Sequence, residues 1–585
     1  MLALLALIAP VLAANPFASA GAAGVGEGWK TPTAALVGSK LRLEDGALRL
    51  DANGTDGADP KACLATRLDV ASRVRIHGKW KTQGIEAAQG WQGGRLVVRF
   101  FDQAGAAIKG NAGTVAVVSG RGNRAWEDIT KVLDAPAGAA KADLCVEMLD
   151  ATAGTAWFKD LELAPKGQDT NAKNVLWLVI DTLRADALGT YGQARPLSPN
   201  IDALAKTATV YEKAWAQYTW TNPSVISHFT SQYTRSHGWE HEMGQVEGMR
   251  AISPRVTTVA EVLARQGYLT QGFYANGYMK PEIGFGRGFH TWSYKQDPKV
   301  VALGLEDIAR WSADGAPNFL YLHLMTMHVP LRPSAAGQKA AGVNVAVPAD
   351  GVDYYARAKS SLSIEDYSKL FRDAYMGSVL DADAYVGQVI EALRAAGQLE
   401  NTMIILSSDH GELLGEHGQL GHGNFVYEEL TSTPLIVRVP GGKAARVADR
   451  VGQNIDIAPT ILDWLGAEQA RPATWQGVSL LDAAPKRLAV SERSAFIAYT
   501  TDGRWKTVEA DTSGKLLEAY DLSKKPLEST NLVATPTPEH QALQSAAQLW
   551  RGMTVPFTSD GPLLQMTQEQ RDQTEDMLKE LGYIE

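Results

Sequence analysis

Cysteine is nearly absent from this chain, whose 585 residues contain only Cys63 and Cys145. This scarcity excludes cysteine-rich zinc modules and a dense disulfide scaffold, and leaves a cysteine-dependent active site two candidate residues. Basic charge is also in short supply, because 56 lysines and arginines face 65 aspartates and glutamates, for a net charge of −9. That balance argues against a protein that binds nucleic acid through bulk positive charge.

Long hydrophobic runs are missing beyond the first residues, MLALLALIAPVLAANP. This run of about a dozen apolar residues is shorter than the roughly 20 that a transmembrane helix needs. Val11 and Ala13 have the spacing of a signal-peptide cleavage site, so we expect 1–14 to be a signal peptide. A frayed tail or a misplaced start codon is the alternative. We therefore expect an exported protein, periplasmic or extracellular, without a transmembrane segment.

The composition is that of a globular protein, with 45% hydrophobic, 21% charged and 8% aromatic residues. Disordered, collagen-like and coiled-coil classes are excluded. Between about 26 and 163, short alternating runs such as LRLEDGALRLDA are separated by Gly, Asp and Asn-Gly. This pattern predicts an all-β sandwich over 15–165, and it resembles the jelly-roll carbohydrate-binding modules appended to secreted enzymes. Its tryptophans suit either a packed core or a sugar platform.

A different pattern follows the polar stretch APKGQDTNAKN, because apolar runs now alternate with amphipathic helices. The runs predict buried parallel strands: NVLWLVI (174–180), YLTQGFY (268–274), NFLYLHLM (318–325), TMIILSS (402–408) and PLIVRV (434–439). Helices are predicted around 199–207, 257–266, 365–396 and 458–465. This alternation indicates an α/β domain over 172–485 with an open, mostly parallel sheet, in which ligands bind beyond the carboxyl ends of the strands.

Two of these strands end in acids. NVLWLVI runs into Asp181, and TMIILSS runs into Asp409 and His410. A single acid at such a place is most often a helix cap or a loop residue. Two acids with a neighbouring histidine favour a divalent metal site, because buried carboxylates are costly unless a cation neutralises them.

The segment Thr221-Asn222-Pro223-Ser224 predicts a helix start. Pro223 suits the first helical position, so Asn222 is expected to cap the helix and Thr221 to precede it. Amide N–H groups at a helix N-terminus attract anions, which suits a phosphate or sulfate ester. A simple capped helix start is the alternative.

The motifs follow one another in a specific order. The series is Asp181-Thr182-x-Arg184-x-Asp186, SPNIDALAK, WTNPS, TMHVP, SSDHGELLGEHG, TPLIVRVPGG, QNIDIAPTILDWLG and QGVSLL. As an ordered set it resembles the sulfatase family of the alkaline phosphatase superfamily, over about 172–535. The resemblance implies an alkaline-phosphatase-like sheet flanked by helices and closed by a small antiparallel C-terminal subdomain, here 486–585.

The resemblance also implies roles for individual residues. Asp181 corresponds to the first metal-binding acid and Asp409 and His410 to the later metal pair. Thr221 corresponds to the nucleophile, and its oxygen is expected to be a further metal ligand. His328 and His422 match positions that contact the oxyanion or protonate the leaving group, and Asn222 joins them in substrate binding. His323 is expected to be a packing residue, and His237, His241 and His417 to be loop or supporting residues.

Three positions depart from the family pattern. Thr182 replaces the second acid at the first strand end, and Val225 replaces the arginine that follows the nucleophile motif. Threonine itself stands at the nucleophile position, where sulfatases convert cysteine or serine to formylglycine. Oxidation of a threonine gives a ketone, so no formylglycine is expected.

Threonine occupies this position in relatives that cleave nucleotide phosphodiesters or transfer phosphoglycerol and phosphoethanolamine groups. The resemblance therefore favours a metal-dependent hydrolase or transferase in which Thr221 attacks a phosphoester, most often a diester. Cleavage of a sulfuric or phosphonate ester is a second hypothesis. A catalytically inactive protein that binds an anionic glycan is a third.

One divalent metal ion is expected, because His328 has no partner acid at short spacing for a second site. Manganese, zinc and magnesium suit oxygen ligands with one imidazole better than calcium does. The expected partner is an anionic ester substrate, which could be linked to a glycan or a lipid; no nucleic acid is expected. Cys63 and Cys145 both fall in the sandwich and are a candidate disulfide of an exported domain.

Overall fold

The computed structural model describes Trp29–Lys30 and 40–564, except 53–58, 65–66, 71–72, 90, 111, 165–172, 242–247, 315, 344–345, 355–356, 358–359, 482–485 and 555. The signal peptide predicted over 1–14 and the tail MLKELGYIE lie outside the described residues. The chain divides into two compact units: Met1–Thr170 with Ala313–Ala316, and Asn171–Ser312 with Pro317–Glu585. The finer domain boundaries at 15, 165, 172 and 485 stay predictions.

The elements described before residue 165 in the first unit are all strands. They are β1 (Trp29–Lys30), β2 (Leu41–Glu44), β3 (Ala47–Asp51), β4 (Lys61–Leu64), β5 (Leu68–Asp69), β6 (Arg73–Ala87), β7 (Gly93–Phe101), β8 (Thr114–Gly120), β9 (Gly122–Asp134), β10 (Lys141–Leu149) and β11 (Ala151–Ala164). One antiparallel sheet has the order β1-β4-β10-β7-β8, with β5 beside β10, and the other has the order β2-β3-β11-β6-β9. Side chains from both sheets share one apolar core, as the alternating pattern predicts.

The cysteines and tryptophans of this unit take distinct places. Cys63 on β4 faces Cys145 on the adjacent β10, and the two form a disulfide with Cα atoms 4.0 Å apart. Trp80 is buried against Phe158 in the core, whereas Trp126 is 38% exposed on β9. The tryptophans therefore serve both as core residues and as surface residues.

The second unit is a mixed α/β structure. Its strands are β12 (Asn174–Ile180), β13 (Thr209–Tyr211), β14 (Ala214–Trp215), β15 (Leu269–Tyr274), β16 (Thr291–Tyr294), β17 (Asn318–Leu324), β18 (Thr402–Ser407), β19 (Leu413–Leu414), β20 (Leu420–Gly421), β21 (Leu435–Arg438), β22 (Ala445–Val447), β23 (Gly452–Gln453), β24 (Ala489–Arg493), β25 (Phe496–Thr500), β26 (Trp505–Ala510) and β27 (Leu516–Asp521).

Its helices lie between these strands and after them. They are α1 (Pro199–Ala205), α2 (Thr221–Thr230), α3 (Thr234–His237), α4 (Val259–Arg265), α5 (Asp297–Ile308), α6 (Trp311–Asp314), α7 (Ala335–Ala341), α8 (Ile364–Ala395), α9 (Glu428–Thr431), α10 (Ile457–Leu465) and α11 (Pro538–Met553). Of the described helices, none combines the length and the apolar character needed to cross a membrane.

The main sheet has the strand order β16-β15-β17-β12-β18-β21-β13-β22. Strands β15, β17, β12 and β18 run parallel to one another at its centre. Alternate residues of β12 enter two separate cores: Leu178 packs with α1, α5 and α8 on one face, and Trp177 packs with α2, α4 and α10 on the other. Because both faces are covered, β12 is apolar from Val175 to Ile180, and the predicted α/β class is confirmed.

One strand runs opposite to the prediction. PLIVRV, expected to be parallel, forms β21, which pairs antiparallel with β18 through Ser407 opposite Leu435. The chain between them stays at the carboxyl edge of the sheet, where β18 ends and β21 begins. Since no crossover returns the chain to the other edge, β21 enters the sheet in the reverse direction.

A second sheet closes the unit at its C-terminal end. Strands β24, β25, β26 and β27 form an antiparallel sheet in sequence order, and α11 packs against it through Trp550. This antiparallel sheet agrees with the small C-terminal subdomain that the resemblance implies.

Candidate metal and nucleophile site

Asp181, Asp409 and His410 meet at the carboxyl edge of the main sheet. Asp181 directly follows β12, and Asp409 lies two residues after the neighbouring β18. All three side chains are fully buried, and their potential ligand atoms lie within 4.8 Å of one another. Two strand ends that are far apart in sequence are thus adjacent in space, because parallel strands end at the same edge.

The donor atoms of this cluster suit a divalent cation. Asp181 Oδ1, Asp409 Oδ2 and His410 Nε2 are buried and make no hydrogen bond within the described residues. His410 Nδ1 lies 2.9 Å from the Gly411 carbonyl, so this nitrogen carries the proton and Nε2 keeps its lone pair. These two carboxylate oxygens and this imidazole nitrogen lie close together and share no hydrogen bond. Such a set of atoms suits the coordination of a divalent cation.

Thr182 takes the place of a second acid without joining the ligands. Its backbone is left-handed, with φ of 58°, and its hydroxyl donates to the Met327 carbonyl at 2.9 Å. Its backbone N–H donates to Asp409 Oδ1 at 3.2 Å. The main chain of Thr182 therefore orients the Asp409 carboxylate, and its side chain contacts the loop that follows β17.

Thr221 is the first residue of α2, and its side chain reaches the acid cluster. Thr221 Oγ1 donates to Asp181 Oδ2 at 3.3 Å. The helix begins earlier than predicted, with Trp220 as its N-cap and Pro223 in its third position, so Asn222 is not the cap. Proline is tolerated there because the first N–H groups of a helix have no intrahelical acceptor.

Asn222 lies inside this first turn, fully buried beside the nucleophile position. Its Nδ2 donates to the Tyr278 carbonyl at 3.4 Å, and its buried Oδ1 makes no hydrogen bond among the described residues. Farther along α2, Ser224 Oγ donates to the Asp409 carbonyl at 2.6 Å. The helix is therefore tied directly to the loop that carries Asp409 and His410.

Two residues join the site that the sequence analysis does not predict. Asn276, two residues after β15, donates from Nδ2 to Asp181 Oδ2 at 2.9 Å and to Thr221 Oγ1 at 3.1 Å. His323 on β17, expected to be a packing residue, has its Nε2 3.0 Å from Asp181 Oδ2. The adjacency of β15, β17 and β12 brings these residues to Asp181, and that adjacency is not visible in the sequence.

His328 and His422 lie together beside His410. The His422 ring is centred 4.5 Å from that of His410 and 5.1 Å from that of His328. His422 Nδ1 is 3.0 Å from Glu412 Oε1. Like Asn276 and His323, Glu412 is a residue of the site that the sequence analysis does not predict. The carboxyl group thus fixes the orientation of the imidazole, as carboxylates do for catalytic histidines.

Comparison with known proteins bears on the whole arrangement. The sulfatase family model matches residues 173–467, which is half of the 585-residue chain and contains every site residue described above. The chain belongs to the sulfatase family. The predicted resemblance is confirmed, and with it the assignment of the protein as a hydrolase of this family.

Individual relatives are more distant. An N-acetylglucosamine-6-O-sulfatase of Bacteroides thetaiotaomicron is 41% identical over 115 residues, which cover only 20% of this chain and 20% of that protein. The multifunctional alkaline phosphatase superfamily protein PehA of Trinickia caryophylli is 25% identical over 397 residues, covering 53% of this chain and 76% of PehA. The crystal structure of Ps i-CgsB with k-i-k-neocarrahexaose superposes with a TM-score of 0.52 at 16% identity, covering 70% of this chain and 99% of that one.

The two acids of the cluster differ in their affinity for protons. Burial raises the pKa of Asp409, and the charge of Asp181 raises it further. Burial acts on Asp181 in the same sense, but the hydrogen bond from His323 and the nearby imidazoles outweigh it and lower its pKa. Asp181 is therefore the more strongly ionised of the pair.

Histidines are the basic residues nearest to the two acids. Within the described part of the chain, the basic groups at ion-pair distance from Asp181 and Asp409 are the rings of His323 and His410. Val225, at the position of the family arginine, is fully buried in the apolar core. This chain therefore lacks a guanidinium at that position.

The three histidines expected to be loop or supporting residues lie outside the cluster of Asp181, Asp409 and His410. His237 is buried, and its Nε2 is 3.0 Å from Ser227 Oγ. His241 packs near Trp239, and His417 stacks on Tyr427 with its Nε2 3.2 Å from Glu429 Oε2. His237 thus ends α3 and contacts α2, so it is not a loop residue, and the supporting roles of the three histidines stay predictions.

Proposed function

We propose that the protein is a metal-dependent hydrolase of singly charged esters, with Thr221 as its nucleophile. One observation carries the proposal: the Thr221 hydroxyl lies at a helix N-terminus and within hydrogen-bond distance of a carboxylate of the metal cluster. A hydroxyl in this position is adjacent both to a cation site and to helix N–H groups that attract an anion.

Asp181, Asp409 and His410 would hold one divalent cation. When bound, it would polarise the ester oxygens, lower the pKa of the Thr221 hydroxyl and neutralise the two carboxylates. Manganese, zinc and magnesium fit two carboxylates and one imidazole. In this proposal Thr182 leaves the ligand set smaller by one acid than the family pattern.

The chemical step follows from the contacts of Thr221. Its Oγ1 forms a bond to the sulfur or phosphorus atom while the bond from that atom to the leaving oxygen breaks. The hydroxyl proton has Asp181 Oδ2 as its nearest acceptor, at 3.3 Å. Water then attacks the threonine ester, releasing the acid product and restoring the hydroxyl.

His422 and His328 would supply the proton that the leaving oxygen takes up. Glu412 occupies His422 Nδ1, which leaves Nε2 as the nitrogen that exchanges a proton with the ester. His328 Nδ1 is likewise occupied by the Val329 carbonyl at 2.7 Å. Each ring is thus oriented by a contact of its Nδ1.

Sulfate monoesters are the substrate class that the family and its named relatives support best. Phosphate or phosphonate esters with one negative charge are the second candidate. The threonine supports them, because it acts as an alkoxide and cannot supply a formylglycine. Position 225 carries valine instead of the permanently charged arginine, and fewer fixed positive charges favour a singly charged group over a doubly charged phosphate monoester.

An ester panel separates these candidates. We would compare 4-nitrophenyl sulfate, bis(4-nitrophenyl) phosphate and 4-nitrophenyl phenylphosphonate, each with manganese, zinc or magnesium and after chelation. We expect metal-dependent turnover of the sulfate or of the singly charged phosphorus esters, and little of 4-nitrophenyl phosphate. Turnover that chelation leaves unchanged, or a preference for the phosphate monoester, would contradict the proposal.

Binding of an anionic glycan by the sandwich is a second candidate function. Trp126 is exposed, and the ammonium groups of Lys81 and Lys159 lie 5.1 and 4.4 Å from its ring centre. An aromatic ring flanked by two cations suits a sugar that carries an anionic group. Trp126→Ala should weaken retention on a sulfated-polysaccharide column, whereas Trp91→Ala, another exposed tryptophan of this unit, should leave it unchanged.

A further inference from the structure

We propose that Asn276 is a further catalytic residue of this reaction, whose amide N–H holds the attacking oxygen of Thr221 and stabilises the charge that develops on it. The proposal rests on the proposed function, because it takes Thr221 as the nucleophile. It assigns a role to a side chain that the sequence analysis does not single out.

The backbone places Asn276 at the level of the metal acids. Ala275 N donates to the His323 carbonyl at 3.0 Å, and Asp181 N donates to the Leu324 carbonyl at 2.9 Å. Three adjacent strands, β15, β17 and β12, therefore release their chains side by side. Asn276 is fully buried, so its amide is held within the site.

The orientation of the amide is determined by its partners. Asn276 Oδ1 accepts a hydrogen bond from the Tyr278 backbone N–H at 2.9 Å. Its Nδ2 then faces two acceptors, Asp181 Oδ2 at 2.9 Å and Thr221 Oγ1 at 3.1 Å. The reversed amide would turn a carbonyl oxygen toward the Asp181 carboxylate and an amino group toward the Tyr278 N–H, which is unfavourable on both sides.

The two amide protons define the geometry of the nucleophile. Thr221 Oγ1 accepts one of them and donates its own proton to Asp181 Oδ2. The side chain of Thr221 is therefore fixed before an ester binds, which reduces the reorganisation that attack requires. Asn276 contributes this without adding a charge beside the cation ligands.

The hydrogen bond from Asn276 Nδ2 to Thr221 Oγ1 grows stronger during the reaction. As Oγ1 gives up its proton and attacks, it gains negative charge, and a hydrogen bond to a charged acceptor is stronger than one to a neutral hydroxyl. The bond is needed again when Thr221 leaves from the covalent ester. An interaction that strengthens only in the transition state changes kcat more than KM.

Asn276→Ala in the full chain tests this role, with Asn174→Ala as the matched control. Asn174 is also buried and hydrogen-bonded, through Asn318 and Gln398, but it lies at the opposite end of β12. For each variant we would measure kcat and KM on the best ester of the panel, manganese affinity by calorimetry, and thermal unfolding. A fourth measurement is the affinity for orthovanadate with manganese, because this anion mimics the transition state without turnover.

We expect Asn276→Ala to lower kcat roughly 100-fold and to weaken orthovanadate binding about tenfold, with KM and manganese affinity within about threefold of the unsubstituted protein. Asn174→Ala should change thermal unfolding without changing kcat. The proposal is overturned if Asn276→Ala keeps its kcat and orthovanadate affinity, or if saturating manganese restores both, because Asn276 would then only support the metal site.

The outcome is distinguishable from failure of the proposed function. If Thr221→Ala keeps full metal-dependent turnover, Thr221 is not the nucleophile and both proposals fail. If Thr221→Ala is inactive while Asn276→Ala is fully active, the role of Asn276 alone fails. If no ester is turned over, orthovanadate binding still tests the role of Asn276. Asn276→Ala should bind orthovanadate more weakly than Asn174→Ala, and equal affinities would overturn the proposal.

Discussion

At the scale of single residues, the site contains two groups of side chains. One group follows the ends of predicted strands, and the other reaches the site only because particular strands are neighbours in the sheet. Asp181, Asp409 and His410 can be predicted because acids that follow buried strands need a cation. Asn276 and His323 cannot, because an asparagine after one strand and a histidine within another match a loop residue and a core residue equally well. Their role depends on the order of β15, β17 and β12 in the sheet.

His422 gives a prediction at this scale. If it protonates the leaving oxygen, His422→Gln should lower kcat by roughly 100-fold or more for an alkyl ester, whose leaving group needs the proton, and far less for a 4-nitrophenyl ester, whose leaving group does not. Rates measured over a series of leaving groups check this. Glu412→Gln should retain more activity than Glu412→Ala, because glutamine still reaches His422 Nδ1.

The result against this assignment is equally clear. An identical loss of kcat for alkyl and nitrophenyl esters would mean that His422 binds the ester without donating a proton. A loss that appears only in KM would assign it to substrate binding.

At the scale of elements, direction and exact start are less predictable than the existence of a strand or helix. The apolar run of β21 is the same whether the strand is parallel or antiparallel, and only the short return from β18 determines its direction. The start of α2 is displaced because Pro223 is compatible with any position of the first turn. Both differences arise from connections and not from the elements themselves.

The C-terminal sheet carries a prediction about pH. Glu492 on β24 is buried, and burial raises its pKa to about 8 even though the Arg235 backbone N–H and guanidinium lower it. The folded protein thus holds a proton here that the unfolded chain releases near its ordinary value of 4.5. The stability from this group is fully present below that value and is lost as the pH rises toward 8.

Glu492→Gln should therefore flatten the fall in stability between about pH 5 and pH 8. Chemical unfolding followed at several pH values measures this, with Glu468→Gln, an exposed glutamate, as the control. A variant with the same slope as the unsubstituted protein would mean that Glu492 is ionised in the folded state.

At the scale of the whole molecule, two units with different patterns were distinguishable in the sequence. Alternating runs predict the sandwich, because each of its sheets is covered on one face. Continuous apolar runs predict the α/β unit, because its parallel strands are covered on both faces. We propose that the protein is exported. The disulfide between Cys63 and Cys145 supports this, since disulfides persist in oxidising compartments.

The disulfide gives a prediction at this scale. It joins residues 82 positions apart, and closing a loop of that length contributes up to about 4 kcal/mol to the stability of its unit. Reduction should accelerate hydrogen exchange in β4 and β10 and leave β12, in the other unit, unchanged. Two titratable thiols in the denatured, unreduced protein would show that the bond is not formed.

The central claim is that Thr221 attacks the ester and carries part of it as a covalent intermediate. The most direct measurement is mass analysis of the acid-quenched protein during turnover of bis(4-nitrophenyl) phosphate with manganese. The account predicts a nitrophenyl-phosphoryl group on Thr221, and none on Thr221→Ala, which should also be inactive. A Thr221→Ala variant that turns over the ester at the full metal-dependent rate, or an adduct on another residue, would contradict it.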